Sequence, residues 1–187
     1  VEANIHHPTN NSLVWDCIKE SYRLLDHLQE EIHGLTYQNY TLQAKKTFYK
    51  INNTKGDKRK KQFIKQLSLF VKTINQVSNL VKKKRPSSIR AMELMAALEK
   101  HYEIMKLVYD MVYTKEVKGE KVPNEEKIFS IYEQHTDIIV KGSRDIQFGH
   151  KVDFSSGRSN LILHCDVLRG NPSDSKLFVP ALDSIIE

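Results

Sequence analysis

The stretch that decides the fold class is Phe148-Gly149-His150-Lys151-Val152-Asp153-Phe154-Ser155-Ser156-Gly157-Arg158-Ser159-Asn160-Leu161-Ile162-Leu163-His164-Cys165-Asp166-Val167-Leu168. Two strand-like runs, 148–154 and 160–168, flank the turn chemistry of Ser155–Ser159, which predicts a β-hairpin. In the second run Leu161, Leu163, Cys165 and Val167 share one face, and Ile162, His164, Asp166 and Leu168 share the other. Gly170-Asn171-Pro172-Ser173-Asp174-Ser175 then ends the strand and caps a helix that runs to the end of the chain.

Upstream the period is helical. Thr9, Asn10 and Asn11 offer N-cap oxygens after Pro8. Val14, Ile18, Tyr22, Leu25, Leu28 and Ile32 follow at steps of three and four, and Gly34 suits the position past a helix end. A second helix is expected over 38–52 and a third over 58–84, with Ile64, Leu67, Val71, Ile74, Val77 and Val81 on one stripe. Pro86 fits the first turn of a fourth helix, whose stripe of Met92, Met95, Leu98, Tyr102, Met105, Tyr109 and Val112 is nearly heptad-like. The short connection between the third and fourth helices predicts an antiparallel pair. Lys118–Asn124 reads as a connector. Glycines are sparse up to Gly119 and then crowd the last third as Gly142, Gly149, Gly157 and Gly170, which fits a helical part followed by a turn-rich one.

The chain has 187 residues, 40% of them hydrophobic, which suits one domain with its own core. Mean hydropathy is −0.51 and no uninterrupted apolar run reaches the ~18 residues a spanning helix needs, which excludes a membrane protein. Two cysteines, Cys17 and Cys165, exclude a disulfide scaffold and suggest a reducing compartment. Net charge is +6 and pI about 9.2, which favours acidic partners. The charge is concentrated. Residues 45–85 hold 14 basic side chains against the single acid Asp57, so the remainder of the chain is net negative by seven.

Several segments together resemble bacterial insertion-sequence transposases of the DDE type. They are Pro123–Glu133, His135-Thr136-Asp137-Ile138-Ile139-Val140-Lys141-Gly142, Phe148–Val152 and Gly170–Ser175, with the opening Val1-Glu2-Ala3-Asn4-Ile5-His6-His7-Pro8-Thr9. The resemblance covers roughly residues 1–33 and 120–187. It implies an α+β chain holding an incomplete RNase H-like core of antiparallel strands plus a helix, with a large helical insertion between the first and second strands. Residues 1–8 would be the end of the first core strand, 9–117 the insertion, and 118–187 strands 2 and 3 and the following helix. The family's activity is metal-dependent DNA strand cleavage and transfer, with Mg2+ or Mn2+ held by three carboxylates. The resemblance places those carboxylates before Val1 and beyond Glu187, so the chain is expected to be an interior slice with no catalytic residue and no metal of its own. The implied partners are DNA and, in the complete protein, further copies of itself, with no membrane and a bacterial cytoplasmic, nucleoid-associated location.

The candidate DNA-contacting residues are Lys58, Arg59, Lys60, Lys61, Lys65, Lys82, Lys83, Lys84 and Arg85 at the two ends of the third helix, with Lys141, Arg144, Lys151 and Arg158 around the hairpin. The two helix runs sit roughly 35 Å apart at 1.5 Å per residue and suit phosphates along a duplex, without reading bases. Lysines at 82–85 equally suit a helix C-terminus. A different reading makes the chain a non-catalytic basic helical module for nucleic acid or an acidic protein. A third would use Asp153 and Asp166 as metal ligands across the hairpin. His6, His7 and Cys17 match no zinc spacing, and GxxxxGK[ST], HExxH and GxSxG are all absent.

Overall fold

The computed structural model describes residues 8–83, 86–123, 126–133, 136–139, 146–169 and 172–186. The fold is α+β, and the described residues fall into two compact units, one within Pro8–Ile131 and the other from Tyr132 onwards. Elements run α1 (Asn10–Glu31), α2 (Thr41–Asn52), α3 (Gly56–Lys83), α4 (Ile89–Tyr113), a π-helical turn (Thr114–Lys118), β1 (Asp137–Ile139), β2 (Gln147–Gly149), β3 (Lys151–Ser156), β4 (Ile162–Leu168) and α5 (Asp174–Ile186). Among the described residues no helix is long and apolar enough to cross a membrane.

Helix α1 starts where its side chains can satisfy the first free amides. Of the three candidates Thr9 is the cap. Its Oγ1 accepts from the Ser12 N–H at 3.0 Å, and Ser12 Oγ accepts from the Thr9 N–H at 2.9 Å. The helix packs on α2, α3 and α4. Val14, Ile18, Tyr22, Leu25 and Leu28 are buried as the spacing predicts, and Leu13, Cys17, Ser21 and Leu24 are buried beside them. Neighbours on three sides explain the wider buried arc. Each fully buried Leu, Ile or Val here contributes roughly 1.5–3 kcal/mol. The chain leaves α1 through Ile32, whose N–H bonds back to Leu28 C=O, and Gly34 takes the left-handed φ of 75° two residues later.

The third and fourth helices form the expected antiparallel pair. Phe70 of α3 lies 6.4 Å from the Tyr109 ring of α4, and Arg59 at the start of α3 pairs with Glu116 just past the end of α4. Helix α4 begins later than Pro86. Ser88 is its cap, accepting from the Ala91 N–H at 3.0 Å, so Pro86 precedes the helix. Its buried stripe runs through Ala91, Met95, Leu98, Met105, Val108 and Val112, while Met92 is 51% exposed. Position 92 is a turn of about 100° away from 91, and the smaller Ala91 takes the inward place. The described residues between 117 and 131 stay on this unit. Val117, Val122 and Ile128 pack against the core and Ile131 belongs to it.

Among the described residues the other unit contains two two-stranded antiparallel sheets, β1–β2 and β3–β4. The expected hairpin is present, but its first strand is divided at His150. Phe148 and Gly149 pair with Ile138 and Asp137 of β1, and Lys151–Ser156 pair with β4. The turn is Gly157–Leu161, closed by Gly157 N–H to Leu161 C=O at 3.0 Å, with Asn160 at a left-handed φ of 58°. Helix α5 packs on β4, and its start is tied to β3 by Lys151. The face carrying Leu161, Leu163, Cys165, Val167 and Phe154 is exposed. The face carrying Asp153, Ser155 and His164 meets α5, where Ser184 Oγ lies 2.7 Å from His164 Nδ1.

Candidate nucleic-acid interface

Helix α3 carries the densest charge of the described residues, and its packing determines where that charge points. Phe63, Gln66, Phe70, Thr73 and Val77 recur every three or four residues and are buried. At 3.6 residues per turn, Lys58, Lys61, Lys65, Lys72 and Lys83 fall within about 60° of one another, roughly opposite that buried stripe. All five are exposed. From Lys58 to Lys83 the arc rises through 25 residue steps, about 37 Å of helix. Gln76 and Asn79 fall on the same arc, Gln76 half-buried and bonded to Gln38; Asp57, the only acid of α3, lies about 40° off the arc in the first turn, where the helix dipole favours it. Five like charges on one rigid face raise the local potential far more than the same charges scattered over a surface.

The expected contact residues separate into groups. Lys58, Lys61, Lys65 and Lys83 lie on this arc. Lys60 and Lys82 are exposed but turned away from it around the axis. Arg59 is engaged within the unit although 42% of its side chain is exposed: its guanidinium lies 3.3 Å from Glu116 Oε2 and sits over the Phe63 ring at 4.8 Å. Glu116 also accepts from Asn10 Nδ2 at 2.6 Å, so this charge joins α1, α3 and the π-helical turn. Lys151 is likewise engaged. Its ammonium pairs with Asp174 and donates to Pro172 C=O at 2.6 Å, with only 13% of the side chain exposed. Arg158 is exposed in the β3–β4 turn. Lys84, Arg85, Lys141 and Arg144 lie outside the described residues, as do His6 and His7.

Lys72 is the member that a search for basic runs misses. It stands alone in sequence, and only the helical period places it in line with the others. Its Nζ lies 5.5 Å from the Tyr40 ring centroid, a cation–π contact that steadies the side chain at the middle of the arc.

The two carboxylates considered as metal ligands do meet on the hairpin. Asp153 and Asp166 are direct cross-strand partners on the hairpin, but among the described residues no group of three His, Cys, Asp or Glu side chains could hold an ion. A divalent cation of the Mg2+ type takes an octahedral oxygen shell in which waters or substrate phosphates complete what one or two carboxylates begin. Cys17 is buried in α1, where burial pushes its thiol well up, with the Asp16 carboxylate adding to the effect. No protein-family model, curated protein or solved structure matches this chain.

Proposed function

We propose that the chain is a DNA-contacting part of a DDE-type transposase, in which the solvent face of α3 holds duplex phosphates. The strands and α5 would contribute to its RNase H-like core, and strand cleavage and transfer would use carboxylates and Mg2+ or Mn2+ from outside these residues. The observation that carries the DNA reading is the arc of Lys58, Lys61, Lys65, Lys72 and Lys83. Its length of about 37 Å is close to one turn of B-form duplex, roughly 34–36 Å. Such a face supplies affinity and register without base recognition.

The test is fluorescence anisotropy on a random-sequence duplex across a salt series. Five phosphate contacts predict a log–log salt slope of about −4.5. The triple change K61E/K65E/K72E is expected to lower the slope towards −2 and weaken binding about 100-fold at moderate salt. An unchanged slope would return these lysines to an ordinary solvated helix face. Preference for a polyglutamate competitor over duplex would favour an acidic protein partner. For the transposase part, Asp153→Asn and Asp166→Asn should leave Mg2+-dependent cleavage by the complete protein intact, and abolition by either would place the chemistry in the hairpin instead.

A further inference from the structure

Beside the same lysines the surface of the helical unit is indented. A cavity of about 230 Å3 opens between α1, the α1–α2 connection and the last turns of α3. Leu25, Leu35 and Leu80, all buried, form its floor. Tyr37 stands on one side, fixed by a hydrogen bond from its hydroxyl to Asp26. The connection itself is pinned to α3: Gln76 Oε1 accepts from the Gln38 N–H at 2.7 Å, and Gln76 Nε2 donates to Gln38 C=O at 3.1 Å. Asn79 and Lys83 complete the lining, and both are exposed. Lys83 therefore belongs to the cavity and to the lysine arc at once.

The chemistry of this lining narrows the ligand. An apolar floor gives a free inorganic anion nothing to bind. The volume is below the roughly 300–1,000 Å3 of pockets for drug-sized molecules, so one ring system is the appropriate scale. The amide and ammonium at the mouth suit a polar ring edge and an attached phosphate. We infer that this cavity takes one unpaired nucleobase from a strand whose phosphates lie along the α3 lysines. The inference rests on the DNA reading above. The base places its faces against the leucines and the Tyr37 ring, its edge towards Asn79 and its phosphate on Lys83. Unpaired bases are received in this way, with apolar or aromatic contact to the faces and hydrogen bonds to the edge.

The test compares a blunt duplex of about 16 base pairs with the same duplex bearing a 3′ overhang that ends in 2-aminopurine. The expected result is tighter binding of the overhang form, about tenfold, with at least a twofold change in 2-aminopurine fluorescence on saturation. Thr36→Met, a substitution at an exposed position of the mouth, should abolish both effects while blunt-duplex affinity stays within twofold. Circular dichroism checks that the variant keeps its helix content. Blunt-duplex binding with a steep salt slope and a silent fluorophore overturns the base site and leaves the DNA reading standing. An equal fluorescence response in Thr36→Met also overturns it. Failure of both oligonucleotides to bind at low salt overturns the two together.

Discussion

Gln66 offers a sharp test of how the helical unit is held together. It lies on the buried stripe of α3 with none of its surface exposed, and neither amide atom has a hydrogen-bond partner. A buried polar group left unpaired costs about 1–3 kcal/mol. Leucine is close to glutamine in size and has nothing to satisfy. Gln66→Leu should therefore stabilise the helical unit, by about 2 kcal/mol if one of the two unpaired groups dominates. With a urea m-value of about 1–3 kcal/mol/M, the midpoint should rise by roughly 1 M. The assay is equilibrium urea unfolding followed by far-ultraviolet circular dichroism, which reports mainly on α1–α4. Gln66→Ala serves as the contrast, since it removes the same amide but leaves a cavity, and it should fall well below the leucine variant. A lower midpoint for Gln66→Leu than for the parent would refute the reasoning, because it would mean that the amide is satisfied in solution and that its bonds support the core.

Three further outcomes follow from particular contacts. His101 is buried between α1 and α4, with Nε2 3.0 Å from Cys17 C=O and 3.1 Å from Ser21 Oγ. Burial lowers its pKa from the usual 6.5, against weaker upward pulls from the Cys17 carbonyl and Glu20, while Arg23 adds to the lowering. Its unfolded form takes up a proton before its folded form does, so its contribution is fully present above about pH 6.5 and is lost as pH falls from there through the lower folded pKa. Urea midpoints at pH 7.5 and 5.5 should thus differ more for the parent than for His101→Gln. Thr9→Ala removes the α1 cap and should cost about 1 kcal/mol in the same assay, with Thr9→Ser close to neutral. Under native conditions Cys165, exposed on β4, should react with a thiol reagent, while Cys17 should react only after denaturation.

Helix positions were legible from sequence because the apolar spacing is a local property of the chain. The stripe of α1 and the pairing of α3 with α4 are both readable from steps of three and four and from a short connection. The local signal is overridden where a cap or a neighbour decides. Pro86 is a permissible first-turn residue, but the Ser88 hydroxyl satisfies the first amides of α4 and moves the start three residues on. Met92 and Ala91 are one position apart, and fit against the core selects the smaller. In the hairpin, alternation separates the two faces but is silent about which one α5 covers. The helix meets Asp153, Ser155 and His164, leaving Phe154, Leu163 and Val167 outward.

The linear order of residues alone established that basic charge is gathered between positions 45 and 85 and that helical periodicity gives way to strand alternation near the end. Tertiary packing decided what that charge is able to do. It drew Arg59 to Glu116 and Lys151 to Asp174, left the face shared by Lys72 and four other lysines open to solvent, and set a small apolar cavity beside Lys83. The reason is physical. Spacing along a chain prescribes which side chains share a face, whereas the availability of a face to a ligand depends on which other elements have already claimed it.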